Sequence, residues 1–209
     1  MYRMLIAAFA ALAATAALAQ EAPDAIVKKG VDEVLAAIKN DKDLQAGNLD
    51  KVMKLADEKV LPNFDMARMT RLAVGRPWAQ ATDAQKEALT KEFKTLIIRT
   101  YSSSLSQFRN QTVDVKPVKM SAADKEVVVR TEVKQPGGTP IPIDYSMEKT
   151  DQGWKVYDVV VDGVSLVTTY RGSFSDIVQK SGVDGLVKAL QDRNQRPAPA
   201  GAPKAEPKK

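Results

Sequence analysis

Ile141-Pro142-Ile143-Asp144-Tyr145-Ser146-Met147-Glu148 is the stretch that decides the fold class. Ile141, Ile143, Tyr145 and Met147 alternate with Pro142, Asp144, Ser146 and Glu148. Successive side chains of a strand point to opposite faces, so this is a strand with one apolar and one polar face. Upstream, Val127, Val129, Thr131 and Val133 share one face of a second strand, and Pro136-Gly137-Gly138 turns the chain between the two. Val113 and Val115 begin another strand before these. Thr150-Asp151-Gln152-Gly153 turns the chain into Trp154–Val161, whose Tyr157 and Val159 are counted with the apolar face. The expected product is a four-stranded, mostly antiparallel meander covered on one side.

Before Asn110 the apolar spacing is helical. Val27, Val31, Val34, Leu35 and Ile38 form one stripe. Asn48 can cap a helix through Leu49, Val52, Leu55 and Val60 that stops at Pro62. Asp65 can cap a short helix ended by Gly75 and Pro77. Thr82-Asp83-Ala84-Gln85 is a capping box that opens the longest helix, with Leu89, Phe93, Leu96, Ile97, Tyr101, Leu105 and Phe108 on its stripe. Ser102-Ser103-Ser104 is weak in helix propensity, and a bend is expected there. After the strands, Ser173-x-x-Asp176 and Ser181-x-x-Asp184 each read as the start of a short helix. Helices, then strands, then helices make an α+β domain, with helices on one face of a twisted sheet.

The two ends read differently. Arg3 precedes an uncharged apolar run from Leu5 to Ala16, closed by Ala17-Leu18-Ala19, the order of a cleavable secretory signal peptide over residues 1–19. Gln20 stands where a lipoprotein would need Cys for its anchor. Residues 196–209 form a Pro/Ala/Lys tail with prolines at 197, 199, 203 and 207 and no large apolar side chain, and are expected to be disordered. Residues 20–195 are left as the folded domain. The tail also holds Arg196, Lys204, Lys208 and Lys209 against Glu206, so much of the formal charge of +5 belongs to it. In the body, basic and acidic residues alternate, which argues against a nucleic-acid-binding face.

With no His and no Cys in the chain, Ser-His-Asp and Cys-His catalysis, thiol redox chemistry and ordinary zinc sites are excluded. Asp158 and Asp162 interrupt apolar runs, and a buried carboxylate beside Tyr145 or Tyr157 could serve as a base in a small-molecule enzyme. The competing reading has Asp158 accepting backbone hydrogen bonds and Asp162-Gly163 forming a turn. The apolar residues leave a second choice open. The sheet offers Val127, Val129, Ile143, Tyr145 and Met147, and the long helix offers Leu96, Ile97, Tyr101, Leu105 and Phe108. If these surfaces meet they form a solid core, as in a protein-binding adaptor. Held apart, they line an apolar cavity.

Trp154-Lys-Val-Tyr-Asp-Val-Val-Val-Asp-Gly-Val-Ser-Leu-Val-Thr-Thr-Tyr-Arg171, continued by Gly172–Leu186, closely resembles the MlaC family of periplasmic phospholipid-binding proteins, also described as toluene-tolerance auxiliary components. Val60-Leu-Pro-Asn-Phe-Asp65, Leu72-Ala-Val-Gly-Arg-Pro-Trp78, Ala81–Gln85 and Thr100-Tyr101 extend the likeness over roughly Asp24 to Arg193, and the C-terminal tail departs from it. The resemblance implies a non-enzymatic carrier in the periplasm, with phospholipid as cargo and no cofactor. It would shuttle lipid between an outer-membrane lipoprotein–porin complex and an inner-membrane ABC transporter with a mammalian-cell-entry-type subunit, maintaining outer-membrane lipid asymmetry. It also implies a curved sheet in an NTF2-like cone, with acyl chains between sheet and helices. The apolar residues named above, with Tyr157 and Val159, are then the expected lining, and Arg71, Arg76 and Arg171 the candidate head-group contacts. Each CH₂ kept from water contributes about 0.8 kcal/mol, so two acyl chains represent on the order of 20 kcal/mol, and such a carrier must enclose them almost completely.

Overall fold

The computed structural model describes residues 20–106 and 111–196; the side chains of 103–106 are not described. The expected leader, the tail beyond Arg196 and Phe108 lie outside the described residues, as does the Leu105 side chain.

The alternating segments pair as expected. β1 (Thr112–Val115), β2 (Glu126–Lys134), β3 (Ile141–Thr150) and β4 (Gly153–Val161) form an antiparallel meander in sequence order. Val127 pairs with Met147 and Val129 with Tyr145, so the apolar sides of β2 and β3 coincide. Among the described residues the sheet has five strands rather than four. Asp162 (φ 50°) and Gly163 (φ 79°) both take the left-handed conformation that a tight hairpin requires. The chain therefore folds straight back, and β5 (Val164–Ser165) pairs with Val160 and Val161. The rest of that β4 edge is met by Phe64, which bridges to Val156 in parallel, while Asp65 N–H donates to Val156 C=O at 2.8 Å. These contacts cover part of the edge and shorten what it presents to another strand.

The N-terminal half forms α1 (Pro23–Asn40), α2 (Lys42–Gln45), α3 (Leu49–Leu55), α4 (Met66–Val74) and α5 (Asp83–Ser106). The capping expectations hold. Asn48 Oδ1 accepts from Lys51 N–H at 3.2 Å and Asp65 Oδ1 from Arg68 N–H at 2.7 Å. Thr82 and Gln85 exchange bonds reciprocally at 2.9 and 3.2 Å. The end of α3 differs from expectation. The helix widens into a π-turn over Ala56–Val60 before a 3-10 turn, Leu61–Asn63. Pro62 cannot donate to the carbonyl four residues back, and its ring crowds that carbonyl, so the helix loosens instead of stopping cleanly. α5 does not break at Ser102 either: it runs on to Ser106, and the Ser102 hydroxyl donates to Arg99 C=O.

The two expected C-terminal helices are present within α6 (Leu166–Gln195), separated by a break at Gly182 that falls beside the expected start at Ser181. The first of them, however, starts at Leu166 and not near Ser173. Its cap is Ser165, whose Oγ accepts from Thr168 N–H at 3.0 Å. Ser173 lies inside the helix and donates back to Tyr170 C=O, so it caps nothing. Three apolar clusters result. α4, α5 and α6 enclose Met69, Leu89, Phe93, Leu96, Tyr170, Phe174 and Leu186. Phe93 meets Tyr170 and Phe174 edge-on, at 5.2 and 5.4 Å between ring centroids. A second cluster joins the inner face of the sheet to Val27 of α1 and Leu166 of α6. The third lies among α1, α2 and α3, around Ile38, Leu44 and Val52.

Candidate functional site

Between α1 and the inner face of the sheet the packing is incomplete and leaves a cavity of about 240 Å³. From α1 it is lined by Ile26, Val27, Gly30, Val31, Val34, Leu35 and Ile38, which is the stripe read from the sequence with a glycine set into it. A Cβ at Gly30 would stand 3.9 Å from Asn63 Nδ2, an ordinary van der Waals contact, so glycine leaves room in the lining here without being demanded by close approach. The π-turn and the segment after it supply Lys59, Val60, Asn63 and Phe64, and the sheet supplies Val113, Val133, Ile143, Tyr145 and Val156. The side chains are apolar except for Tyr145, Asn63 and Lys59, and among the described residues Lys59 is the only charged one in the lining. Burial pushes the Tyr145 phenol up to about 12, partly offset by its hydrogen bond with Thr131, so it stays neutral at ordinary pH. Such a lining has almost nothing to fix a polar ligand and suits a flexible hydrocarbon chain.

Of the residues expected from sequence to form an apolar lining, Ile143 and Tyr145 line this cavity. Leu96 is closed inside the α4–α5–α6 cluster, and Val129 and Met147 are fully buried under the sheet. Ile97, Tyr101, Val127 and Val159 pack around the sheet cluster without reaching the cavity. The opposing wall is therefore α1, where α5 was expected. Tyr157 is on the other side of the sheet. A register shift makes Met147 pair with Val156 and Ser146 with Asp158, leaving Tyr157 as the extra residue of a β-bulge. Its ring lies under the Arg68 guanidinium, 3.7 Å from Cζ to centroid. Arg68 also donates to Glu148 and, at 2.6 Å, to Glu126. The Arg68 hydrogen bond holds the Glu126 carboxyl below the usual carboxylate range.

The three candidate head-group arginines lie elsewhere. Arg71 and Arg76 are exposed at the end of α4 and just beyond it. Arg171 Nε and Nη2 both donate to Leu72 C=O, at 2.9 and 2.7 Å, tying α6 to α4. None of them lines the cavity.

The candidate bases are structural. Asp158 Oδ1 accepts from Val159 N–H (2.9 Å) and Val167 N–H (3.2 Å), and Oδ2 accepts from Ser165 Oγ (2.6 Å). Its carboxylate thus joins β4 to the first turn of α6. Asp162 shapes the hairpin. Among the described residues there is no cluster of metal-ligating side chains, and no helix is long and apolar enough to cross a membrane.

Apart from Ile143 and Tyr145, sequence reasoning missed the lining. It read Val27, Val31, Val34, Leu35 and Ile38 as a helix stripe and Val113 and Val133 as strand residues without assigning them to the site. It gave Ile26, Gly30, Lys59, Val60, Asn63, Phe64 and Val156 no place in it. Gly30 carried a signal: glycine within a helix costs about 1 kcal/mol relative to alanine, and here it falls on the apolar stripe. The π-turn that brings Lys59 and Val60 to the cavity has no periodicity to betray it.

A family model described as MlaC protein matches residues 28–192. The toluene tolerance protein ttg2D of Pseudomonas putida is 25% identical over 182 residues, covering 87% of this chain and 82% of that protein. The intermembrane phospholipid transport system binding protein MlaC of Haemophilus influenzae is 22% identical over 184 residues, covering 87% and 86%. A solved structure of the phospholipid-binding protein from Ralstonia solanacearum, in complex with a phospholipid, is 48% identical with a TM-score of 0.78, covering 82% of this chain and 96% of that one. The matched span runs from the first turns of α1 almost to the end of α6 and takes in both walls of the cavity; the chain belongs to the MlaC family.

Proposed function

We propose that this protein is a non-enzymatic phospholipid carrier that holds acyl chains between α1 and the inner face of its sheet. The supporting observation is an apolar cavity, lined from α1, the π-turn and four strands, in a chain 48% identical to a phospholipid-binding protein solved with its lipid. The cavity at about 240 Å³ is below the roughly 300–1,000 Å³ of pockets that enclose drug-sized ligands. Loading a diacyl lipid thus requires α1 to move away from the sheet. Two acyl chains would cost on the order of 20 kcal/mol if left in water, so a seam that opens to enclose them avoids that cost during transit.

The carrier acts in the periplasm, entering by a leader cleaved after Ala19. It exchanges lipid with an outer-membrane lipoprotein–porin complex and with an inner-membrane ABC transporter bearing a mammalian-cell-entry-type subunit, in support of outer-membrane lipid asymmetry. Native mass spectrometry of protein purified from a bacterial periplasm tests the core of this reading. A chain beginning at Gln20 with phospholipid bound is the expected result. Protein that carries no phospholipid and takes none from vesicles would sink it. The rival reading, an enzyme with Asp158 or Asp162 as base, is disfavoured by the three hydrogen bonds that the Asp158 carboxylate already accepts and by the place of Asp162 in the β4–β5 hairpin.

A further inference from the structure

The rim of the cavity carries polar groups that a hydrocarbon chain does not need. Lys59 and Asn63 line both the apolar cavity and a polar recess just outside it, which adds the charged residues Glu21, Lys29, Glu33 and Glu58. Lys59 Nζ reaches from the π-turn to Glu33 of α1 at 3.2 Å, with the two side chains 46% and 37% exposed. Among the described residues, the Asn63 carboxamide makes no side-chain hydrogen bond, and its Nδ2 faces the bare backbone of Gly30.

We propose that Lys59 and Asn63 form a clasp for the phosphodiester of the cargo lipid, with Glu33 as the counter-ion that the phosphate replaces; this rests on the carrier reading above. Acyl chains drawn into the cavity leave the lipid's phosphate at its rim. Unesterified phosphate oxygens only accept hydrogen bonds, and Lys59 and Asn63 between them offer an ammonium and an amide donor. Glu33 neutralises Lys59 across the seam between α1 and the π-turn. A phosphate arriving there takes over Lys59, the half-exposed Glu33 carboxylate is left to solvent, and the tie between the two walls is released as the seam opens. Partial exposure keeps the contribution small and dependent on salt.

The test offers delipidated full-length protein to vesicles of dioleoyl phosphatidylglycerol mixed with dioleoylglycerol, and reads the ratio of the two lipids bound by native mass spectrometry. The wild type is expected to favour the phospholipid. Lys59→Met with Asn63→Ala should lower that preference about fivefold. Glu33→Gln, which leaves the clasp in place and removes its competitor, should raise it, and carries the test even if the double variant folds poorly. Millimolar inorganic phosphate should leave the ratio unchanged, because a free anion lacks the tails that anchor the lipid. A ratio indifferent to all three substitutions, or a preference erased by inorganic phosphate, overturns the clasp alone. Wild-type protein that takes up neither lipid overturns the carrier reading and the clasp with it.

Discussion

Residues that look equivalent by sequence pattern have different jobs, and substitutions should separate them. Val31 faces the cavity, whereas Val129 is wholly buried in packed core. Val31→Glu is expected to leave the domain folded and block lipid loading, because the carboxylate can reach the half-open rim while spoiling the lining. Val129→Glu places an unpaired charge where nothing can solvate it, and should cost at least about 3 kcal/mol or prevent folding. Thermal unfolding together with the amount of lipid retained distinguishes the two; intact loading in Val31→Glu would refute the cavity assignment. Asp158→Ala should cost about 1–3 kcal/mol by leaving Val167 N–H and Val159 N–H without their acceptor. Its lipid loading, measured below the unfolding transition, should remain normal. The alternation of the strands was enough to find Val129, Ile143, Tyr145 and Met147 as inward residues. It failed at Tyr157, because one inserted residue reverses the facing of everything on one side of it. Trp154 and Val156 face inward in one phase and Val159 and Val161 in the other, and that offset was the only trace of the bulge in the sequence.

At the scale of elements, α6 shows how a few glycines shape a helix. Gly182 has φ 69° and ψ −174°, a conformation reserved in practice for glycine, and the helix breaks there. Gly182→Ala meets no atom within 4 Å yet should cost about 1–3 kcal/mol from backbone strain alone. At Gly185 the obstacle is contact, since a Cβ would lie 2.3 Å from Ser181 Cβ. Gly172 has neither problem, with nothing within 4 Å and no positive φ. Gly172→Ala should therefore stabilise by about 0.4–1 kcal/mol, because the unfolded chain loses freedom. Denaturant midpoints of the three alanine variants check these signs. Helix existence was readable from the stripes and caps, as at Asn48, Asp65 and Thr82. The join between β5 and α6 was not. Ser165 caps α6 only because Asp162 and Gly163 reverse the chain directly before it, and the local motif at Ser173 was an equally good cap on paper.

For the whole molecule, the absence of histidine leaves no side chain with an ordinary pKa between about 5 and 8. Stability should be level across that range and fall at both extremes. The acid side follows from Glu126, Asp41 and Asp114, each held below its ordinary pKa by a side-chain hydrogen bond from Arg68, Lys51 and Lys116 respectively. Carboxyls with a lowered folded pKa stabilise fully above their unfolded value near about 4 and lose that contribution as pH falls through the folded one. Arg68→Met should shrink the loss below pH ~4. On the alkaline side burial raises Tyr101 and Tyr145 to about 12. A raised folded pKa contributes below the unfolded value near about 10, and the contribution is lost as pH climbs through the folded one. Thermal midpoints measured from pH 3 to 12 test both limbs, and a maximum confined to one end would contradict them. Lipid should add to stability, by about 2.7 kcal/mol at a hundredfold excess over Kd, and should slow hydrogen exchange in α1 more than in β2 or β3. The sequence by itself determined the α+β class, the order of the strands and most helix starts, because these rest on periodicity and capping between near neighbours. The family rested on the resemblance of whole segments such as Trp154–Arg171. Only the tertiary structure decided that α1, and not α5, stands across the cavity from the sheet, and that Lys59 and Asn63 come to its rim. Those outcomes depend on which apolar stripes meet over long separations, and every stripe in this chain is chemically able to meet any other.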